Sequence, residues 1–191
     1  MELKPTSYVL LGTLAMGPRT GYEIKAVLDK SARFFWASSY GQIYPELKRL
    51  AEAGLIEGTD DPAGARRRIQ YRITGPGREA LRAWLREPPE TFELRDEGLL
   101  KLFFSNAVGP EDAIETLRVI RRQRETMTRE LEVLRPKTEA MASENPYPLL
   151  VLRAGIEHAR LFARWCEETE NELLKQINGE GTAPPTDRGK E

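Results

Sequence analysis

Cysteine and histidine are nearly absent from this sequence of 191 residues, which holds Cys166 and His158 as the single residue of each type. One cysteine allows neither an internal disulfide nor a cysteine-based zinc site, so we expect no metal and no cofactor. One histidine leaves little for acid–base or nucleophilic chemistry, and the sequence has no nucleophile-elbow context around a serine or the cysteine. The sequence therefore predicts a protein that binds its target and is not an enzyme.

Long hydrophobic runs are also missing. No stretch reaches the ~18 apolar residues of a membrane span. The first residues, Met1–Pro5, lack the basic and then apolar pattern of a signal peptide. We expect no membrane association and a cytoplasmic location.

Charge of either sign is not in excess, since the net charge is −1. Its distribution is uneven: positions up to 90 hold 14 basic and 11 acidic residues, whereas later positions hold 15 and 19. A mildly basic first half is compatible with nucleic-acid binding there.

Three short helices are predicted in the first half, over residues 8–16, 21–28 and 39–53. Thr6 and Ser7 are possible N-caps of the first helix. Ser39 and Gln42 match the capping-box pattern at the start of the third. Gly54 is expected to end that helix.

The periodicity then changes from helix to strand. Residues 55–58 are too short for a helix, and residues 60–64 form a cluster of turn formers. Polar and apolar residues alternate over 66–74, as in a half-buried strand. Thr74 is expected to cap a fourth helix that stops at Pro88-Pro89. Three helices followed by a hairpin is the winged-helix order, in which the second and third helices form the helix-turn-helix.

The remaining sequence is predicted to be helical, with long helices after Gly109-Pro110 and after the turn at residues 145–148. Both show alternating 4,3 spacing, which indicates either antiparallel packing or a seam between subunits. The first stripe is Ala113, Leu117, Ile120, Arg124, Met127, Leu131 and Leu134. The second is Leu152, Ile156, Ala159, Ala163, Cys166, Glu170, Leu173 and Ile177.

The fold class is thus mainly α: an α+β winged helix-turn-helix domain (1–88), an all-helical dimerisation domain (89–178) and a disordered tail (179–191). We expect an obligate homodimer, because the second stripe is long and has few partners within one chain. The expected dimerisation residues are Leu152, Ile156, Ala159, Ala163, Cys166 and Leu173.

One face of the third helix is a candidate DNA-contact surface. With Ile43 at zero on a helical wheel, Leu47 and Leu50 fall within about 40° of it, so polar residues face outward on the opposite side. Such groups meet phosphates and base edges, and the arginine run of the hairpin is a candidate phosphate or minor-groove clamp. The predicted DNA-binding residues are Tyr8, Tyr22, Lys25, Ser39, Tyr40, Gly41, Gln42, Tyr44, Pro45, Lys48, Arg49, Arg66, Arg67 and Arg68.

Three stretches resemble the PadR family of bacterial transcriptional regulators. They are residues 11–24, with Gly21-Tyr22-Glu23-Ile24; residues 41–56, with Tyr44-Pro45 inside the recognition helix; and residues 68–78. The sequence departs from the family at Gln70, where an aromatic residue is common, and at Asp60-Asp61 near the wing tip. The resemblance implies a homodimer, double-stranded operator DNA as partner and, often, a small-molecule inducer.

Aromatic side chains are candidates for an inducer pocket between the two domains, where Trp84, Phe162 and Trp165 offer flat apolar walls. An ordinary core role is the alternative for these residues. The alternative function is a winged-helix protein-interaction module, because the second half and the wing carry acidic residues. Repression is the expected outcome of DNA binding.

Overall fold

A computed structural model describes residues 3–17, 19–30, 40–61, 68–89 and 96–179 of the chain. The chain divides into two compact units, Met1–Phe92 and Glu93–Glu191, which we call the winged-helix unit and the helical unit. None of the described helices combines the length and apolar composition needed to cross a membrane.

The described residues of the winged-helix unit form four α-helices and three strands. In chain order they are α1 (Pro5–Ala15), β1 (Arg19–Thr20), α2 (Gly21–Lys30), α3 (Ile43–Glu52), β2 (Ile56–Asp61), β3 (Arg68–Ile73) and α4 (Gly75–Trp84). A 3-10 turn over Tyr40–Gln42 leads directly into α3. Strand β3 lies in the middle of the sheet and pairs antiparallel with both neighbours. The winged-helix fold class is confirmed.

The core of this unit is formed by one apolar face from each helix and by the base of the hairpin. Ile56 and Ile73 are paired across β2 and β3, and both are buried. The buried side chains are Leu10, Leu11, Leu14, Ile24, Leu28, Ile43, Leu47, Leu50, Ile56, Ile73 and Leu81. Burial of these apolar groups is the main favourable contribution to folding.

Two predicted helix starts differ from the structure. Helix α1 begins at Pro5, so neither Thr6 nor Ser7 is its N-cap. The reason is that proline fits the first turn of a helix, where its missing N–H costs nothing. Gln42 directly precedes α3 and makes no side-chain cap, whereas Ser39 lies outside the described residues.

The helix after the hairpin begins as predicted. The Thr74 hydroxyl accepts a hydrogen bond from the Gly77 amide at 3.2 Å, and it donates to the Gly54 carbonyl at 2.7 Å. Gly54 has a φ of +70°, the left-handed conformation that ends a helix. The α-helix ends at Trp84, a few residues before the predicted stop at Pro88-Pro89; Leu85 still donates to the Leu81 carbonyl at 3.0 Å, and a turn over Arg86 and Glu87 leads to the prolines.

The helical unit consists of α5 (Glu97–Phe103), a 3-10 turn (Ser105–Ala107) and two long helices, α6 (Pro110–Ala140) and α7 (Tyr147–Ile177). The Asp96 side chain caps α5 by accepting from the Leu99 amide at 3.1 Å. The two long helices are antiparallel neighbours within one chain, since Arg118 meets Glu170 whereas Glu132 meets Arg160.

The two sequence stripes therefore pack against each other inside one chain. Leu117 and Ile120 of α6 form a buried cluster with Cys166 of α7. Glu170 occupies a stripe position on α7, and its carboxylate pairs with Arg118 (Nε to Oε1, 2.6 Å) and Arg121 (Nη1 to Oε2, 3.3 Å). Of the two alternatives left by the 4,3 spacing, the structure shows the antiparallel packing.

Candidate nucleic-acid interface

The start of α2 is fixed by a capping box that the sequence analysis did not identify. The Thr20 amide donates to Glu23 Oε2 at 2.7 Å, and the Glu23 amide donates to the Thr20 hydroxyl at 3.3 Å. These are reciprocal bonds of a T-x-x-E sequence, a pattern that was readable at residues 20–23. The cap places Gly21 and Tyr22 in the first turn of α2, where the Tyr22 side chain is exposed.

Helix α3 has one buried and one exposed face, as predicted. Ile43, Leu47 and Leu50 are buried in the core of the winged-helix unit. The opposite face is exposed, and its residues are Gly41, Gln42, Tyr44, Pro45 and Lys48. We call this set the α3 face. It offers a hydroxyl, an amide and an ammonium group to a partner.

Lys48 is the most accessible cation of α3, with 79% of its side chain exposed. Its Nζ lies 3.8 Å from the carboxylate of Glu52, which is also exposed. Such a solvated pair contributes little to stability. Lys48 can therefore leave this partner for a phosphate at low cost.

Arg49 differs from Lys48, although it is the next residue. Its guanidinium donates to Glu46 through Nε (2.8 Å to Oε2) and Nη2 (2.6 Å to Oε1). Nη2 also donates to the hydroxyl of Ser7 at 3.0 Å. At least two donor groups of Arg49 are thus engaged within the domain, and its contact with DNA stays a prediction.

Glu46 and Ser7 complete this polar cluster. The buried Ser7 hydroxyl donates to Glu46 Oε1 at 2.5 Å and accepts from the Lys4 amide at 3.0 Å. The pKa of Glu46 is lowered from its ordinary value, chiefly by the hydrogen bond from Arg49; burial opposes this effect, and the Ser7 hydroxyl adds to it. The same pair raises the pKa of Arg49.

Tyr44 packs its ring across the beginning of α2. A Cβ atom added to Gly21 would lie 2.6 Å from Tyr44 Cε1, so the ring holds this position only beside a glycine and would have to shift for any larger residue. The phenol of Tyr71, on the central strand, has its pKa raised by burial and by the nearby Tyr44. The contact between α3 and the start of α2 thus positions Tyr44, the exposed aromatic residue of the α3 face.

The hairpin becomes more exposed toward its tip. Ile73 is buried and Tyr71 is half-buried, whereas Ile69 is exposed. Arg68 pairs with Asp61 at the backbone level, at the last described position of each strand. Arg66 and Arg67 lie outside the described residues.

The other predicted DNA-binding residues have different environments. Lys25 is exposed on α2, and Tyr40 lies in the 3-10 turn before α3. The Tyr8 ring is half-buried and stacks on Trp84, with ring centres 4.5 Å apart. Trp84 thus already has an aromatic partner within the winged-helix unit.

The predicted dimerisation residues are largely covered within one chain. Leu152, Ile156, Ala159 and Cys166 are buried against α6, and Ala163 and Leu173 are half-buried. The premise that this stripe has few partners inside one chain is wrong, because α6 supplies them.

A second stripe, which was not predicted from the sequence, lies on the opposite side of α7. Its residues are exposed at 4,3 spacing and are Tyr147, Val151, Ala154, His158, Leu161 and Trp165. We call these six residues the outer stripe.

Phe162 lies in a small aromatic and cationic cluster of the helical unit. The Arg124 guanidinium is 4.8 Å from the centre of its ring, and Trp165 lies 5.2 Å from it. Arg124 also pairs with Asp96. Two shallow grooves of about 360 and 440 Å³ are found on this unit, and neither is lined by Phe162 or Trp165.

A helix-turn-helix followed by a two-stranded wing, with a helical hairpin in a second unit, defines a winged helix-turn-helix protein. Residues 10–83 match the transcriptional regulator PadR-like family, and residues 94–173 match the virulence activator alpha C-terminal family. The chain thus carries a PadR-like domain in its first half and a segment similar to the virulence activator C-terminal family in its second.

Individual relatives agree with this assignment. The chain is 28% identical over 173 residues to the negative transcriptional regulator PadR of Bacillus subtilis, which covers 86% of this chain and 95% of the relative. The crystal structure of Bacillus subtilis PadR in complex with operator DNA is similar, with a TM-score of 0.78, 26% identity and coverage of 89% and 99%. The same protein in complex with p-coumaric acid has a TM-score of 0.70, 25% identity and coverage of 91% and 99%.

Proposed function

We propose that this protein is a cytoplasmic transcriptional repressor that binds a palindromic operator as a homodimer. The observation that carries the proposal is the α3 face, which is polar, exposed and placed on the second helix of a helix-turn-helix. In that motif the second helix enters the major groove. The operator complex of a relative and the name of the negative regulator support the same role.

Lys48 has a defined part in this proposal. Its exposed ammonium contacts a backbone phosphate, whereas Gln42 and Tyr44 lie near base edges. Phosphate contacts orient the protein, and base contacts supply the sequence preference. The hairpin arginines Arg66, Arg67 and Arg68 contact phosphate or the minor groove.

Salt-dependent binding tests the phosphate contact. We expect Lys48→Ala to make the slope of log K against log salt shallower by about 1.8 for a dimer, since each phosphate contributes about 0.9. Lys175→Ala, which removes an exposed cation from the last turn of α7, is the matched control and should leave the slope unchanged. Absence of operator binding by the wild type at low salt would instead favour the protein-interaction module.

The outer stripe is the proposed dimer seam. Its 4,3 spacing over Tyr147–Trp165 is the pattern with which helices pair side by side, and all six residues are exposed in the single chain. The stripe that begins at Leu152 offers little surface to a second subunit, because α6 already covers most of it. A second copy of α7 would bury Leu161 and Trp165.

Sedimentation of the full chain at micromolar concentration tests this seam. We expect a dimer for the wild type and a monomer for Leu161→Glu, because an unpaired carboxylate in an apolar seam is strongly unfavourable. Val133→Glu is the matched control, since Val133 is an exposed apolar residue of α6 away from the stripe. A dimeric Leu161→Glu variant would exclude the outer stripe.

We also propose a small aromatic inducer for the helical unit. The Arg124 cation over Phe162 is suited to an aromatic acid, which offers a flat ring and a carboxylate. The relative's complex with p-coumaric acid makes that compound the first to test. We expect it to release operator DNA from the wild type and less effectively from Phe162→Leu; equal release from both would place the inducer elsewhere.

A further inference from the structure

The Glu46–Arg49 pair lies on the recognition helix without facing its DNA side. The two residues are one helical turn apart, and two parallel hydrogen bonds join the guanidinium to the carboxylate. This fork geometry is the strongest arrangement available to an arginine and a carboxylate. Only 11% of the Glu46 side chain and 31% of the Arg49 side chain are exposed. The ion pair is therefore largely shielded from water by the rest of the domain.

Ser7 connects this pair to another helix. Its hydroxyl donates to Glu46 and accepts from both Arg49 and the Lys4 amide. A serine hydroxyl has one donor and two acceptor positions, so its hydrogen-bonding capacity is fully used. Because Ser7 is completely buried, water has no access to take over these bonds. The first turn of α1 is therefore joined to α3 by directional bonds.

These hydrogen bonds restrict rotations of α3 that its apolar contacts still permit. Leu47 and Leu50 hold α3 in the core by non-directional hydrophobic contact, which permits small rotations of the helix about its axis. Hydrogen bonds depend on angle as well as distance. The cluster thus fixes the rotation that sets the directions of Tyr44 and Lys48.

The pair also neutralises a cation on the DNA-reading helix. An uncommitted arginine there would bind a phosphate of any sequence, because phosphate contacts carry no sequence information. Glu46 competes for that guanidinium, and its own negative charge repels phosphate. Both effects weaken binding to non-operator DNA more than binding to a correctly docked operator.

We propose that Glu46, together with Ser7, retains Arg49 as a positioning residue inside the domain and so determines the specificity of DNA recognition rather than its overall affinity. This inference rests on the proposed DNA-binding function. Arg49 acts through the orientation of α3, whereas Lys48 on the same helix makes the phosphate contact.

Binding to operator and to a scrambled duplex, each over a series of salt concentrations, tests the proposal with the full-length protein. For Glu46→Gln we expect tighter binding to the scrambled duplex with a slope steeper by about 1.8 per dimer. The operator-to-scrambled ratio should fall about tenfold, similar to the loss of one base contact. Arg49→Gln should weaken operator binding and leave the slope unchanged.

Two further variants distinguish the effect of a negative charge on α3 from the effect of the hydrogen-bonded link to α1. Glu52→Gln removes the same charge from α3 at an exposed position without a link to α1, so it should change both affinities together and keep the ratio. Ser7→Ala breaks the link but keeps the ion pair, so it should lower the ratio without a steeper slope. Circular dichroism verifies that each variant is folded.

A shallower slope in Arg49→Gln would overturn the proposal, because it would mean that Arg49 contacts phosphate in the wild type. An unchanged ratio in Glu46→Gln would overturn it as well. Failure of the wild type to prefer the operator is a different result, since it refutes the proposed function itself.

Discussion

Replacing Gly77 by alanine should destabilise the winged-helix unit. An added Cβ at this position would lie 2.0 Å from the Leu55 carbonyl oxygen and 3.0 Å from Ile73 Cγ1. The first contact involves backbone, which cannot rotate away as a side chain does. The Leu55 carbonyl also accepts the Thr74 amide at 3.1 Å, so its displacement would disturb the junction of α3, β3 and α4.

Three contributions determine the expected change in the free energy of unfolding for Gly77→Ala. Overpacking of this kind costs roughly 1–3 kcal/mol, and weakening the hydrogen bond from Thr74 adds about 1 kcal/mol. Alanine is favoured over glycine in a helix by roughly 0.5–1 kcal/mol, which opposes the loss. We therefore expect Gly77→Ala to lower the free energy of unfolding by about 2 kcal/mol.

Urea unfolding followed by circular dichroism measures this change. With a slope of about 2 kcal/mol per molar urea, the midpoint of the winged-helix unit should fall by about 1 M. Gly75→Ala is the matched control, because an added Cβ at Gly75, in the same helix, has nothing within 4 Å. Equal midpoints for the two variants would refute the steric argument.

Three other outcomes are expected. Gly21→Ala should push the ring of Tyr44 aside, so operator affinity should fall in an anisotropy titration while the unfolding midpoint is kept. The pKa of Glu46 is lowered from 4.5 in the folded protein. The stability that its carboxylate contributes is therefore present above that pH and is lost as the pH falls through the folded pKa. In urea unfolding, the stability difference between the wild type and Glu46→Gln should shrink on acidification. In urea unfolding, Glu170→Leu should change the free energy of unfolding of the helical unit by no more than about 1 kcal/mol, because Arg118 and Arg121 are both partly exposed and can regain water.

The winged-helix unit was predictable from sequence because its signals are local. Thr74 as a cap, Gly54 as a helix end and the alternation in β3 each act over a few residues, and all are present in the structure. Strand β1 has only two residues and pairs with a strand some fifty positions away. No local pattern in the sequence predicts such a pairing.

In the helical unit, the periodicity of apolar residues predicts which face of a helix is buried but not which helix covers it. The 4,3 spacing correctly identified the buried stripe from Leu152 to Cys166, but spacing alone does not say whether the partner is α6 or another chain. The antiparallel register depends on contacts such as Arg118 with Glu170 and Arg160 with Glu132. With α6 covering the stripe that begins at Leu152, the outer stripe of α7 remains exposed.

Lys48 and Arg49, the adjacent cations of α3, show that the sequence pattern does not predict tertiary partners in the candidate site either. A helical wheel places Lys48 outward and Arg49 at the flank, and both qualify there as DNA contacts. The spacing of Glu46 and Arg49 allows an ion pair within the helix, but exposed pairs of this kind contribute little and exchange readily for a phosphate. What makes this pair different is Ser7, which is 39 positions from Glu46 in the chain and is buried against it. The function of a cation on a recognition helix thus depends on tertiary contacts, because they decide whether its charge is available to DNA.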